Sequence, residues 1–242
     1  MTATAASDET RHFMVRPGTL DDFIVESVFV RNEYRLPACL PHHTVVIDIG
    51  AHIGAFALAA VDRGAQHVLA VEAVSENRVL AALNMRDEIA SGQVELSFAA
   101  AAGPLRAAVS MGPAPLHSGK VNTGGHRIAG FRSDLGATDA VRVITLDDLI
   151  RRAQGELGAA HLWLKLDCES SEWEILGTCT LLAALDRIVG EYHEVEGQTF
   201  GPQLPCTAEG LVALLRSAGF STTVERDLTT PGMGLFWATR DE

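Results

Sequence analysis

The stretch from Thr44 to Gly64 constrains the fold more than any other. Val45-Val46-Ile47-Asp48-Ile49 is a continuous apolar run of strand length, as expected of a parallel strand covered on both faces. A glycine-punctuated turn follows at residues 50–54, and residues 55–61 then read as a helix that stops near Gly64. The same alternation continues. Residues 67–72 read as a second buried strand, Ser75 as the N-cap of a helix running towards Ile89, and residues 94–98 as a third strand. Further on, strands are predicted at 161–167 and 187–193, with a helix between them from about Ser171 to Leu185. A helix at 207–217 ends at Gly219, and two strands at 220–225 and 234–239 close the chain as a hairpin. Strands alternating with helices imply right-handed βαβ crossovers. The expected fold is therefore α/β: a doubly wound, mainly parallel, seven-stranded Rossmann-like sheet with one antiparallel edge strand and helices on both faces.

The flanks are less regular. Residues 1–12 are polar and small and are expected to be disordered. Residues 13–44 form a lead-in segment packed on the core, in which alternating apolar positions at 23–30 read as one or two strands, stopped by Pro37. Residues 102–140 are punctuated by Gly, Pro and Ser, and an insert of this kind in a compact domain is read as a lid or acceptor loop. The strand 141–144 follows it, and Thr145 with Asp148 three residues on marks a helix start.

Charge narrows the partners. The net charge is −12 and the only basic cluster is Arg151-Arg152, which argues against nucleic acid and against anionic membranes. No apolar run reaches transmembrane length. Cys39, Cys168, Cys179 and Cys206 contain no C-x-x-C pair; they read as buried, inert thiols of a reduced, cytoplasmic protein. A homodimer is compatible with the sequence but not demanded by it.

Ligands of open α/β sheets bind at the carboxyl ends of the strands. Two features fall there: the turn Asp48-Ile49-Gly50-Ala51-His52-Ile53-Gly54, and Glu72 closing the second strand. The turn lacks the G-x-G-x-x-G that lets a backbone approach a pyrophosphate. That counts against a nicotinamide-dependent oxidoreductase. It suits S-adenosylmethionine, with Gly50 admitting the methionine part, Asp48 facing its ammonium group, the helix N-terminus receiving its carboxylate, and Glu72 accepting from the ribose hydroxyls. His52 serves equally as a cofactor contact or as a solvent-facing or capping residue.

These segments, together with Thr145-Leu146-Asp147-Asp148, Lys165-Leu166-Asp167-Cys168-Glu169 and Glu191-Tyr192-His193, resemble the FkbM-type methyltransferases of the class I S-adenosylmethionine-dependent fold. The resemblance runs in order over residues 26–236 and implies that residues 45–242 form a methyltransferase domain. Asp48, Gly50, Ala51, His52, Gly54, Glu72 and Ala100 would then contact the cofactor, and Glu169, Asn122 and Tyr34 the acceptor. The family mostly O-methylates hydroxyls of natural products, sugars or polyketides. Two departures stand out. The family commonly has asparagine where this chain has His52, and glycine where it has Ser170 in Asp167-Cys168-Glu169-Ser170-Ser171-Glu172.

Methyl transfer from a sulfonium is an in-line displacement, so the protein chiefly aligns the acceptor and removes its proton. His193 is the expected base, since its ordinary pKa lies near working pH, with Asp167 or Glu191 orienting it. Lys165, inside an apolar strand, needs a partner, and Glu191 on the neighbouring strand is one candidate. Asp167, Glu169 and Glu191 also offer oxygen ligands suited to Mg²⁺ or Mn²⁺, which the sequence allows without requiring. N- or C-methylation on the same fold, and a binding protein without turnover, are the other readings.

Overall fold

The computed structural model describes residues 3–4, 11–128, 140–200 and 204–240. Most of the first twelve residues, and with them the expected disorder, lie outside the described part, as do residues 129–139 of the insert. Seven strands form the main sheet: β1 (Thr44–Ile49), β2 (His67–Glu72), β3 (Val94–Phe98), β4 (His161–Leu166), β5 (Arg187–His193), β6 (Phe220–Arg226) and β7 (Met233–Arg240). Their order is β6-β7-β5-β4-β1-β2-β3. All neighbours from β3 to β5 pair in parallel. The antiparallel pairing is at the edge, as expected; the reversed strand itself is β7, one position in, and β6 pairs with it on the outside.

Helices cover both faces. On one side, Leu146, Leu149 and Ile150 of α5 (Leu146–Gly155), Trp173 and Ile175 of α6 (Glu172–Thr178), and Leu211 and Leu215 of α7 (Ala208–Ser217) pack on Val45, Ile47 and Leu164. On the other, α2 (Ala55–Asp62), α3 (Ser75–Asn84), α4 (Arg86–Ala90) through Ile89, and the lead-in join the core built on Val46, Trp163 and Val189. Strand alternation separates the two cores. It also aims Asp48 and Lys165, paired in register across β1 and β4, at the lead-in face.

The lead-in differs from expectation. Residues 23–30 form no strand but a helix, α1 (Asp21–Val25), running into a wider turn (Glu26–Val30) that Arg31 N–H closes on the Glu26 carbonyl. The apolar residues that bury, Val25, Val28 and Phe29, follow i, i+3, i+4 spacing, whereas Phe23 is exposed. Ser75 is not a cap either: it lies in the first turn of α3, where its hydroxyl donates to Glu76. The helix after β4 ends at Thr178, because Asp147 draws Cys179 Sγ and the Thr180 N–H and hydroxyl away from it. Thr145 caps α5 as expected, accepting from Asp148 N–H at 3.1 Å. Of the four thiols only Cys206 is buried; Cys168 and Cys179 are partly covered and Cys39 is exposed.

The strand Val141–Ile144 lies outside the main sheet. It joins Ala100–Ala101 and Ala108–Val109 in a small sheet of its own. From there the insert returns to the lead-in, where Leu20 and Gly18 exchange backbone hydrogen bonds with Val121. Among the described residues, no helix is long and apolar enough to cross a membrane.

Candidate active site

The bend after β1 is held from both sides. Gly50 and Ala51 both donate their N–H to the Val71 carbonyl at 3.0 Å, and Lys165 Nζ donates to the Gly50 carbonyl at 2.7 Å. Gly50 has φ +78°, and a Cβ there would run into the Asp167 carbonyl oxygen. Only glycine satisfies both demands. His52 follows with φ +51°, a left-handed conformation that asparagine and histidine tolerate better than most side chains. Its N–H donates to Glu72 Oε2 at 2.7 Å, and Val74 N–H donates to Glu72 Oε1 at 2.8 Å. Glu72 thus ties the first strand end to the second. Burial pushes its carboxyl up to about 7 even though both backbone bonds favour the charged form.

A cleft of about 1360 Å³ opens over these strand ends. Pockets of roughly 300–1,000 Å³ hold one drug-sized ligand, so this one has room for a cofactor and an acceptor together. Gly50, Ala51, His52, Glu72 and Ala100 line it, as do Lys165, Asp167, Glu169, Glu191, Asn122 and Tyr34. The structure therefore brings together most of the residues singled out from the sequence.

Three of them lie elsewhere. Asp48 does not reach the cleft wall; it is fully buried, with Oδ1 at 3.4 Å from Lys165 Nζ. Gly54 packs against Met85 at the start of α2, with φ +92°. His193 is 2% exposed, lies behind the wall, and is unsuited to the role of base. Burial opposes its charge, but the hydrogen bond to Glu172 and the charges of Glu172, Glu169 and Glu191 outweigh that and raise its pKa to about 10. A histidine that is already protonated accepts no proton. Its orienting partner is also not Asp167 or Glu191: Nδ1 lies 3.2 Å from Glu172 Oε1.

Lys165 finds Asp48 and, at 3.8 Å, Asp167, rather than Glu191. Register explains this, since Val189 sits beside Lys165 and Glu191 lies two residues further on. The same register sets Asp167, just past the end of β4, beside Glu191 near the end of β5. Burial opposes the Lys165 charge, but Asp48 and Asp167 prevail and raise its pKa. Around Asp167, carboxylates crowd. Burial and Asp167 hold Glu191 well above the ordinary carboxylate range and Glu33 at about 7. Tyr34 donates its hydroxyl to Asp167 Oδ2 at 3.1 Å. The cation-ligand set also changes: the atoms that approach within 4.8 Å of one another belong to Asp167, Glu191 and His193, not to Glu169.

Several participants escaped the sequence reading. Thr123 of the insert is buried between Asp21 of α1, to which its hydroxyl donates at 2.6 Å, and His52 Nε2 at 2.9 Å. Asn77 Nδ2 donates to the Thr123 carbonyl, and Arg16 joins Asp21 to Asn77. The other end of this segment sends Arg127 to Glu169 at 3.2 Å. Glu33 was passed over as an unremarkable acid, and Glu172, though it closes the motif that begins at Asp167, carried no role of its own. Only long-range packing makes one a cleft residue and the other a buried histidine partner.

A doubly wound sheet with a glycine bend, a buried carboxylate and one open cleft at its strand ends defines a Rossmann-like α/β protein. Within that class the chain belongs to the FkbM methyltransferase family, since residues 48–222, well over half of its length, match the Methyltransferase FkbM domain. Among solved structures it is similar to EvdMO1, at 16% identity and a TM-score of 0.47 over 90% of this chain and 40% of that one. It is also similar to the methyltransferase FkbM from Methylobacillus flagellatus, at 13% identity and a TM-score of 0.47 over 82% of this chain and 45% of that one. A third is the SAM-dependent methyltransferase from Agrobacterium tumefaciens, at 12% identity and a TM-score of 0.48 over 98% and 70%. No curated protein matches the chain by sequence.

Proposed function

We propose that this methyltransferase uses S-adenosylmethionine to methylate a hydroxyl of a small-molecule acceptor, such as a natural-product, sugar or polyketide intermediate. One observation carries the reading. The Gly50 bend and Glu72, fixed to each other through His52, share a single cleft with the acidic cluster at the ends of β4 and β5. In this reading Gly50 and Ala51 receive the methionine part and Glu72 the ribose. Asp48 acts indirectly, by keeping Lys165 charged on the Gly50 carbonyl. In the transfer, the acceptor oxygen attacks the methyl carbon, the carbon–sulfur bond breaks with its electrons going to sulfur, and a carboxylate takes the hydroxyl proton. Glu33 takes over the base role from His193: it lines the cleft, and its pKa of about 7 matches working pH. The acceptor is small rather than a nucleic acid, given the net charge of −12. Unpaired cysteines fit a reduced, cytoplasmic setting.

Calorimetry with S-adenosylhomocysteine and with NAD(P) tests the cofactor. S-adenosylhomocysteine is expected to bind and the nicotinamides not. Glu72→Ala is expected to weaken that binding about tenfold or more, roughly 1.4 kcal/mol. Equal affinity in the variant removes the ribose assignment. Transfer of a labelled methyl group across a panel of hydroxyl, amine and carbon acceptors then decides the receiving atom.

A further inference from the structure

Behind the cleft floor, His193 is oriented in a way that the proposed methyl transfer does not use. Its Nδ1 lies 3.2 Å from Oε1 of Glu172, a carboxylate with no exposure that also accepts Cys168 N–H at 3.1 Å. Trp173 Nε1 fixes the His193 carbonyl at 2.8 Å. The ring is therefore held with Nδ1–H donating to Glu172. Its Nε2, on a side chain that is 2% exposed, makes no hydrogen bond. His193 also belongs to a trio with Asp167 and Glu191, whose ligand atoms lie within 4.8 Å of one another. Glu169 Oε2 stands 3.4 Å from it, and Asp167, Glu169 and Glu191 all open to the cleft.

A carboxylate on one imidazole nitrogen, with the other nitrogen aimed at further carboxylates, is the arrangement by which proteins orient a metal-binding histidine. We propose that Asp167, Glu191 and His193 form a binding site for a first-row divalent cation, with Glu172 as the positioning residue for His193. Imidazole with two carboxylates suits Mn²⁺ or Fe²⁺ better than Mg²⁺, which prefers oxygen alone. Metal–ligand bonds of about 2.1 Å set neighbouring donor atoms about 3–4 Å apart, so side-chain rotation of Asp167 and Glu191 brings the trio to ligation. On binding, the metal–Nε2 bond forms and any proton on that nitrogen leaves to water. The coordination positions facing the cleft stay open to water or to acceptor oxygens. Binding is read without turnover, so this site stands or falls apart from the reaction proposed above.

The test is a Mn²⁺ titration of chelator-stripped, full-length protein. Loss of the free-ion electron paramagnetic resonance signal measures binding, and pulsed resonance detects an imidazole nitrogen on the bound ion. One ion per chain is expected, with nitrogen coupling. Glu191→Gln should weaken binding about tenfold or more, and His193→Gln should abolish the coupling, whereas Glu209→Gln, on an exposed helix start, should change neither. Circular dichroism checks folding. Should His193→Gln fail to fold, the coupling in the unaltered protein and the affinity of Glu191→Gln decide. A free-ion signal undiminished up to millimolar Mn²⁺, a bound ion without nitrogen coupling, or an affinity unchanged in Glu191→Gln overturns the site.

Discussion

His52 and Ser170 both stand in left-handed backbone, φ +51° and +76°, at the two positions where the chain departs from the residues its family commonly carries. Each departure has its own consequence. Ser170 occupies a conformation that costs an L-residue about 1 kcal/mol and glycine almost nothing. Ser170→Gly is therefore expected to raise stability by about that amount in urea unfolding. At His52 the consequence is a pH dependence. Burial lowers its pKa to about 4, against an unfolded value near 6.5. The unfolded chain therefore takes up a proton first as pH falls, and stability is lost between pH 6.5 and 4 while remaining intact above. His52→Asn keeps the backbone conformation and removes the titration. The drop in urea midpoint from pH 7 to pH 5 should be smaller in that variant than in the unaltered protein.

At the scale of elements, the cleft beside Glu72 is lined by two segments that the sequence places far apart, α1 and the insert around Thr123. They meet where Val121 pairs with Gly18 and Leu20 and where the Thr123 hydroxyl bridges Asp21 and His52. Thr123→Val keeps the shape and removes the hydroxyl that Asp21, which retains Arg16, shares with His52 Nε2, and a buried hydrogen bond lost in this way costs about 0.5–1.5 kcal/mol. Amide exchange at Val121, whose N–H donates to the Gly18 carbonyl, is expected to quicken, and bound S-adenosylhomocysteine to leave faster. None of this was legible in sequence. The alternation at residues 23–30 suits a strand as well as a helix, and only burial of Val25, Val28 and Phe29 settles the matter. The βα units were legible because each repeats one local signal, an apolar run followed by a glycine or capping residue. The glycine bend and Glu72 were legible for the same reason, since a strand end fixes where its last side chain goes. His193 was misread because its charge depends on Glu172, twenty-one residues away, and on packing that no spacing encodes.

For the whole molecule, Glu33, Glu72, Asp167, Glu169 and Glu191 all line one cleft, together with Lys120 and Lys165. A low-dielectric pocket focuses such a field. Since burial holds Glu33 and Glu72 at about 7 and Glu191 higher still, that field grows as pH rises above 7, where an acceptor bearing a carboxylate or phosphate should have a lower kcat/KM than its neutral counterpart, with added salt narrowing the gap. Kinetics on a matched neutral and anionic pair at two ionic strengths would show it. The two cores carry a different implication. Tyr34 and the lead-in pack on the face of the sheet shared with α2 and α3, with Thr123 of the insert bonded to Asp21 of that lead-in, while α5, α6 and α7 pack on the opposite face. The scaffold can thus keep one side constant while the other drifts, and a lineage of such enzymes gains a way to explore new acceptors by exchanging its roof without rebuilding its foundations.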